Sequence, residues 1–255
     1  MKTERLYTLL VQNKIFTIQD AAEILSIPHK QTSELLARLA KQGDLKRIKR
    51  GFYKPVTERF LGPDESFSNP WVVLSSLFPQ SYIGGWSAAS HYGLTDQLFE
   101  ETCVLTLKNI RHTTQNLGRF SYHLFRIKPF QDFATKYIWF DQNKISISDP
   151  HKTIIDMISN PKCGAGIQHT VDCFKTYISE LFDEKIFYSY AEKMQNGSFY
   201  KRLGFLCETF LTAGHPLCIL AQKRMTKGYI SIDSDLVCEQ LITRWNLMIP
   251  KDMKL

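Results

Sequence analysis

The chain has 255 residues, 44% of them hydrophobic and 22% charged, a globular rather than a disordered composition. Its longest apolar runs, such as 71–78, fall well short of the ~18 residues of a membrane helix, and its first residues show no signal-peptide pattern, so a cytoplasmic protein with no membrane partner is expected. The net charge is +7, and its distribution is uneven: residues 1–60 hold 12 Lys and Arg against 6 Asp and Glu, whereas the remaining 195 hold 20 against 19. Positive charge concentrated in one short segment favours a polyanion partner over a merely solvated basic face.

The first sixty residues read as three short helices and a hairpin. A helix near 3–13 carries Leu6, Leu9 and Leu10 as its apolar stripe. Thr17 can cap the next helix, whose apolar face is Ala21, Ala22, Ile24 and Leu25. In the third, Pro28 suits a first turn, Leu35, Leu36 and Leu39 recur at helical spacing, and Gly43 stops the helix. Leu45, Ile48, Phe52 and Tyr53 then bracket a tight turn at Arg50-Gly51, which predicts a β-hairpin loaded with Lys46, Arg47, Lys49 and Arg50.

That order is the pattern of a winged helix-turn-helix. If Thr32, Leu35, Leu36 and Leu39 face inward, then Lys30, Ser33, Glu34, Ala37 and Lys41 face outward, with Gln31 and Arg38 at the flanks. Gln31 and Arg38 suit adenine and guanine edges in a major groove, and Ser33 suits a phosphate. The four wing bases suit backbone phosphates. The DNA-binding set expected from sequence is therefore Lys30, Gln31, Ser33, Arg38, Lys41, Lys46, Arg47, Lys49 and Arg50. A winged domain can also serve only to dock protein, and Glu34 on the outward face speaks for caution.

Three prolines and a glycine in 55–70 predict a linker. The expected division is a winged domain over 1–58, a linker over 59–70 and a larger domain over 71–255, with Ser68 or Asn69 capping a helix through 70–78. Strands are predicted at 102–107, 120–127, 136–140 and 144–148, the last two joined by a turn at Asp141-Gln142-Asn143. Asp149 and Pro150 open a helix with Ile154, Ile155 and Ile158 on its apolar face. Further helices are expected near 167–180, 184–195, 199–212 and 216–224, and late strands at 228–233 and 244–249. The predicted class is α+β, a winged helix-turn-helix followed by a larger α+β domain with a mostly antiparallel sheet.

Catalytic patterns are weak. Gly85-Trp86-Ser87-Ala88-Ala89 approaches the G-x-S-x-G nucleophile elbow, and His91 lies four residues after Ser87, within reach on one helix. An elbow needs a parallel sheet and an orienting acid, and neither is readable here, so Ser87 reads as a cap or packing residue. The glycines of Lys162-Cys163-Gly164-Ala165-Gly166-Ile167 precede a helix start that could hold an anion, though a plain turn explains them. Asp149, Asp156, Asp172 and Glu208 read as caps or salt-bridge partners. Phe125, Phe130, Phe133, Tyr137, Trp139 and Phe140, interleaved with Arg111, Arg119, Arg126 and Lys128, could stack bases, but strand spacing favours core on one face and bases on the other. None of the six cysteines forms a C-x-x-C pair or stands at zinc spacing from a histidine. Reduced, mostly buried thiols are expected, with no metal and no cofactor.

Four segments together resemble the AbiEi family, antitoxins of AbiE-type abortive-infection systems, bacterial type IV toxin–antitoxin pairs. Tyr82–Gln97 (YIGGWSAASHYGLTDQ) is similar to the family's strand end, glycine and S-A helix. Ser148–Pro161 (SDPHKTIIDMISNP) is similar to its D-x-E-K-T-x-x-D block, Lys201–Glu208 (KRLGFLCE) to its R-L-G-[FY]-L-x-E helix, and Arg244–Leu247 (RWNL) to its closing W-x-L strand. His151 departs from the family's usual acid, and Gly164-Ala165-Gly166 from a simpler glycine pair. The resemblance implies a repressor that binds inverted repeats in double-stranded promoter DNA, as monomer or dimer. It also implies a larger domain that counters a nucleotidyltransferase toxin without needing a stable complex. An enzyme, whether a hydrolase through Ser87 and His91 or a modifier of the toxin, is the alternative.

Overall fold

The computed structural model describes Leu9 and residues 15–56, 69–74, 78, 80–117, 120–140 and 143–253. The predicted helix at 3–13, the linker over 59–68 and the turn residues Asp141 and Gln142 lie outside these, apart from Leu9, which is helical and buried. The chain divides into two compact units. The first comprises Met1–Gln80 with Gln115–Ser121 and Trp139–Ile145, and the second Ser81–Thr114, Tyr122–Ile138 and Ser146–Leu255.

In the first unit, β1 (Phe16–Thr17) leads into α1 (Ile18–Leu25). Thr17 caps it as expected: its hydroxyl accepts the Asp20 N–H at 3.1 Å, and the Asp20 carboxylate accepts the Thr17 N–H at 2.8 Å. This reciprocal box satisfies two donors that a helix start otherwise leaves open. Thr17→Ala is expected to cost about 1 kcal/mol, read as a lower urea midpoint for the first unit. Ser26, Ile27 and Pro28 make the turn into α2 (His29–Gln42). Thr32, buried on α2, donates its hydroxyl to the Pro28 carbonyl at 3.1 Å and ties helix to turn.

β2 (Leu45–Lys49) and β3 (Phe52–Pro55) form the predicted hairpin, and Gly51 takes the left-handed φ of +83° that the turn demands. The strand order β1-β3-β2 completes a winged helix-turn-helix. Leu9, Phe16, Ala21, Leu25, Leu36, Leu39, Leu45 and Tyr53 form its core. Leu35, expected inward, is only half-buried at its edge.

The longer part of the chain begins with a short 3-10 turn, Pro70–Val73, which Asn69 caps; Leu74 is helical, and residues 75–77 of the predicted helix lie outside the described residues. Then come β4 (Ser81–Ile83), α3 (Gly85–His91), β5 (Glu101–Thr106), β6 (Thr114–Leu117), β7 (Phe120–Arg126), β8 (Thr135–Phe140) and β9 (Asn143–Ser148). These six strands form one sheet in the order β6-β7-β5-β4-β9-β8. β4 pairs antiparallel with β5 and parallel with β9.

The helices follow: α4 (Pro150–Ser159), α5 (Ile167–Glu180), α6 (Glu184–Lys193), α7 (Gly197–Phe210) and α8 (Pro216–Arg224). β10 (Ile230–Ser231), β11 (Gln240–Ile242) and β12 (Leu247–Ile249) make a second, three-stranded sheet in the order β10-β12-β11. The expected strand over 244–249 is thus half 3-10 turn, Thr243–Trp245, and the one over 228–233 shrinks to two residues. The class is α+β, with sheets mostly antiparallel and partly mixed. α4 is buried from Lys152 to Ser159 and forms the centre of the helical core with Phe174, Tyr177, Phe199, Leu203 and Trp245.

Candidate nucleic-acid interface

α2 presents the side chains expected from its periodicity. Thr32, Leu36 and Leu39 are buried, while Lys30, Gln31, Glu34, Ala37, Arg38 and Lys41 are exposed; Ser33 is half-buried. Five polar or charged groups, the acid Glu34 among them, therefore line the outer face of a helix held by its apolar stripe. That is the arrangement a helix needs to enter a groove without disturbing its own packing.

On the wing, Lys46, Arg47 and Arg50 are exposed. Lys49 is not placed like them. The hairpin pairs Arg47 with Tyr53 and next Lys49 with Phe52, so Ile48 is an extra residue in β2. A bulge of this kind re-aims the side chains beyond it. The Lys49 ammonium lies 4.5 Å from the centre of the Phe52 ring and 5.1 Å from that of Phe78. Burial there pulls its pKa below the usual lysine value. Turn chemistry announced the hairpin, but nothing in the sequence announced the bulge.

The motif segments of the second unit meet one another. Tyr82, at the head of the Gly84-Gly85 stretch, donates its hydroxyl to Asp156 at 2.9 Å and accepts from the Lys152 ammonium at 3.0 Å. Lys152 also pairs with Asp156 directly, one helical turn away, and both side chains are fully buried. Burial raises the Asp156 carboxyl above the ordinary aspartate range, although the Lys152 ammonium and the Tyr82 hydroxyl pull it the other way. The same burial raises the Tyr82 phenol and the Cys163 thiol, so both stay protonated.

Arg202 donates from Nε to the Ile232 carbonyl at 2.6 Å and from Nη1 to the Ser159 carbonyl at 3.2 Å, tying α7 to the residue just after β10 and to the end of α4. Glu208 accepts from the Trp245 indole and from Arg244. Gly204 leaves room for the Trp245 ring: a Cβ there would fall 2.0 Å from Cζ3. Lys152, Asp156, Arg202 and Glu208 are therefore joints of one core, which sequence spacing did not connect.

The weaker catalytic patterns resolve in the same way. Ser87 is buried, and its hydroxyl accepts the Cys103 N–H at 2.8 Å; His91 is exposed and packs edge-on against the Tyr92 ring. Ser87 thus anchors α3 to β5. The helix start after Gly166 is occupied by a carboxylate of the chain itself, since Asp233 accepts the Ile167 N–H at 3.0 Å. Asp149 caps α4 by accepting the Lys152 N–H at 2.8 Å and also accepts the Tyr190 hydroxyl. Asp172 is exposed.

Of the aromatic run, Phe125, Phe130, Phe133 and Phe140 are half-buried, whereas Tyr137 and Trp139 stand exposed on β8; Arg111, Arg126 and Lys128 are exposed too. Arg119 lies outside the described residues. All six cysteines are free thiols, five of them buried and Cys238 partly so. Among the described residues no group of three His, Cys, Asp or Glu is placed to hold a metal ion. No described helix is long and apolar enough to cross a membrane.

Residues 4–55 match the family described as transcriptional regulator, AbiEi antitoxin. The match spans the helix-turn-helix and the wing and bears out the AbiEi resemblance for that segment; the four motif segments lie beyond it. Nearly the whole fold is similar to the crystal structure of the RV2827C protein from Mycobacterium tuberculosis, with a TM-score of 0.62 at 14% identity, covering 97% of this chain and 91% of that one. At such identity the likeness is one of fold alone. No curated protein matches the sequence.

Proposed function

We propose that this regulator is a cytoplasmic, non-catalytic type IV antitoxin that represses its own promoter. α2 would enter the major groove of an inverted repeat and the wing would rest on the flanking phosphates. The carrying observation is the exposed set of Lys30, Gln31, Arg38 and Lys41 on one helix beside Lys46, Arg47 and Arg50 on the hairpin. Gln31 and Arg38 are the base readers in this reading, and Ser33, Lys30 and Lys41 hold phosphates. Lys49 joins the phosphate contacts only by leaving its two rings. The second unit would counter a nucleotidyltransferase toxin. Its motif residues support that role by holding the fold rather than by chemistry, since Lys152, Asp156, Arg202 and Glu208 all bind other parts of the chain.

Fluorescence polarisation with the upstream DNA across a salt series tests the DNA reading. Each lost phosphate contact flattens the plot of log K against log salt by about 0.9, so Lys46→Ala/Arg47→Ala/Arg50→Ala should flatten it by roughly 2.7 on any sequence. Gln31→Ala should instead leave the slope alone and relax preference at one base pair by about 1–3 kcal/mol. An unchanged slope in the triple variant would remove the wing from the interface. Absence of retention on DNA even at low salt would favour a protein-docking role.

A further inference from the structure

We propose that Phe78 holds Lys49 in reserve on the wing, so that this lysine reaches a DNA phosphate only by giving up its place on the two phenyl rings. The proposal rests on the wing's reading as a phosphate-binding element and adds a control to it. Three observations converge. The bulge at Ile48 brings Lys49, rather than its neighbour, opposite Phe52. Its ammonium then lies within 5.1 Å of both ring centres, a cation–π distance to each. Phe78 is itself buried, its N–H bonded to the Leu74 carbonyl at 2.8 Å, so the second ring is fixed rather than adventitious.

Among the described residues, the exposed bases Lys46, Arg47 and Arg50 around it lie over no ring. A lysine stem has four methylenes and can swing its head group between ring and phosphate without moving the backbone. Ring and phosphate compete for one ammonium, so binding of DNA and seating of Lys49 on Phe78 oppose each other reciprocally. Phe78 lies beyond the matched family segment and three residues before β4, so the strength of the wing is set in part from outside the wing.

Phe78→Leu keeps an apolar side chain in place and removes the ring. In the full chain it should steepen the salt dependence of DNA binding by about 0.9, equivalent to a further gain of roughly 3.5-fold between 0.2 and 0.05 M salt. The steepening should vanish in a Lys49→Gln background, and Phe78→Tyr should keep the wild-type slope. In the folded wild type, the Lys49 ε-methylene protons should resonate upfield under the ring currents and stay there when DNA is added, whereas in Phe78→Leu they should move toward their ordinary position on adding DNA.

The latch is overturned if Phe78→Leu leaves the slope unchanged, if it weakens binding because the rings merely brace the wing, or if its gain survives in Lys49→Gln. These failures are separate from failure of the DNA reading: a wild type that binds no DNA at all removes both, whereas a wild type that binds with an inert Phe78 removes only the latch.

Discussion

Asp156→Ala lowers the stability of the second unit by about 3–5 kcal/mol, the cost of leaving one member of a buried ion pair without its partner. The side chains of Lys152 and Asp156 are both wholly withdrawn from water. Once the carboxylate is gone, the ammonium keeps, among the described residues, the Tyr82 hydroxyl at 3.0 Å and the faces of Tyr82 and Phe133, at 5.3 and 5.1 Å. Neither ring replaces a full negative charge. Thermal unfolding should fall by roughly 10 °C for a unit of this size. Lys152→Met combined with Asp156→Leu should recover most of the loss, because a buried pair gives little net advantage over apolar residues of similar size. Urea unfolding of the two variants beside the wild type decides the matter. A single Asp156→Ala within 1 kcal/mol of wild type would mean that Lys152 finds water or another acceptor, and the joint between β4 and α4 would lose its importance.

That joint explains why the second unit was only partly legible in the sequence. Elements announced by local chemistry were readable: Thr17 and Asp149 as caps, the stripe of Leu36 and Leu39, the turn at Gly51, and the helices at 167–180 and 216–224, which fall where their periodicity placed them. Elements made by distant pairing were not. β4 is three residues long, and its parallel partner β9 lies more than sixty residues away, so no local alternation marks the pair. β11 and β12 are three residues each, too short for an alternation to mark them. The outward placement of the polar side chains on α2 and the wing was legible as far as periodicity carries it. Periodicity misled at Lys49, because a single bulged residue reverses which side chain meets the neighbouring strand.

The charged residues of the four motif segments were recognisable as a pattern but not as contacts. Arg202 and Glu208, six positions apart on one helix, serve opposite neighbours: the first ties α7 to the end of α4 and to Ile232, the second to Arg244 and Trp245. A sequence pattern of this kind encodes an assembly of the core. Its charged members satisfy backbone carbonyls and an indole N–H that would otherwise be buried unpaired. It therefore resembles a catalytic signature in composition while doing structural work in place.

The two adjacent glycines before Trp86 should respond very differently to the same substitution. Gly85 has a φ of +50°, and a Cβ there would lie 1.9 Å from the Cys163 carbonyl oxygen and 2.7 Å from the Cys103 sulfur. The carbonyl belongs to backbone of the 3-10 turn Pro161–Gly164, so it cannot swing aside as a side chain would. Overpacking of about 3 kcal/mol and left-handed strain of about 1 kcal/mol act in the same direction, and Gly85→Ala should cost about 4 kcal/mol. At Gly84 the backbone is extended and the first atom met is a Leu105 methyl at 2.5 Å, the far end of a flexible side chain. Gly84→Ala should therefore cost about 1 kcal/mol, the low end of overpacking. Denaturant midpoints of the two variants measure the difference directly. Equal losses would show that the turn at Cys163 gives way, and would leave the second glycine without the close-approach role that its contacts assign to it.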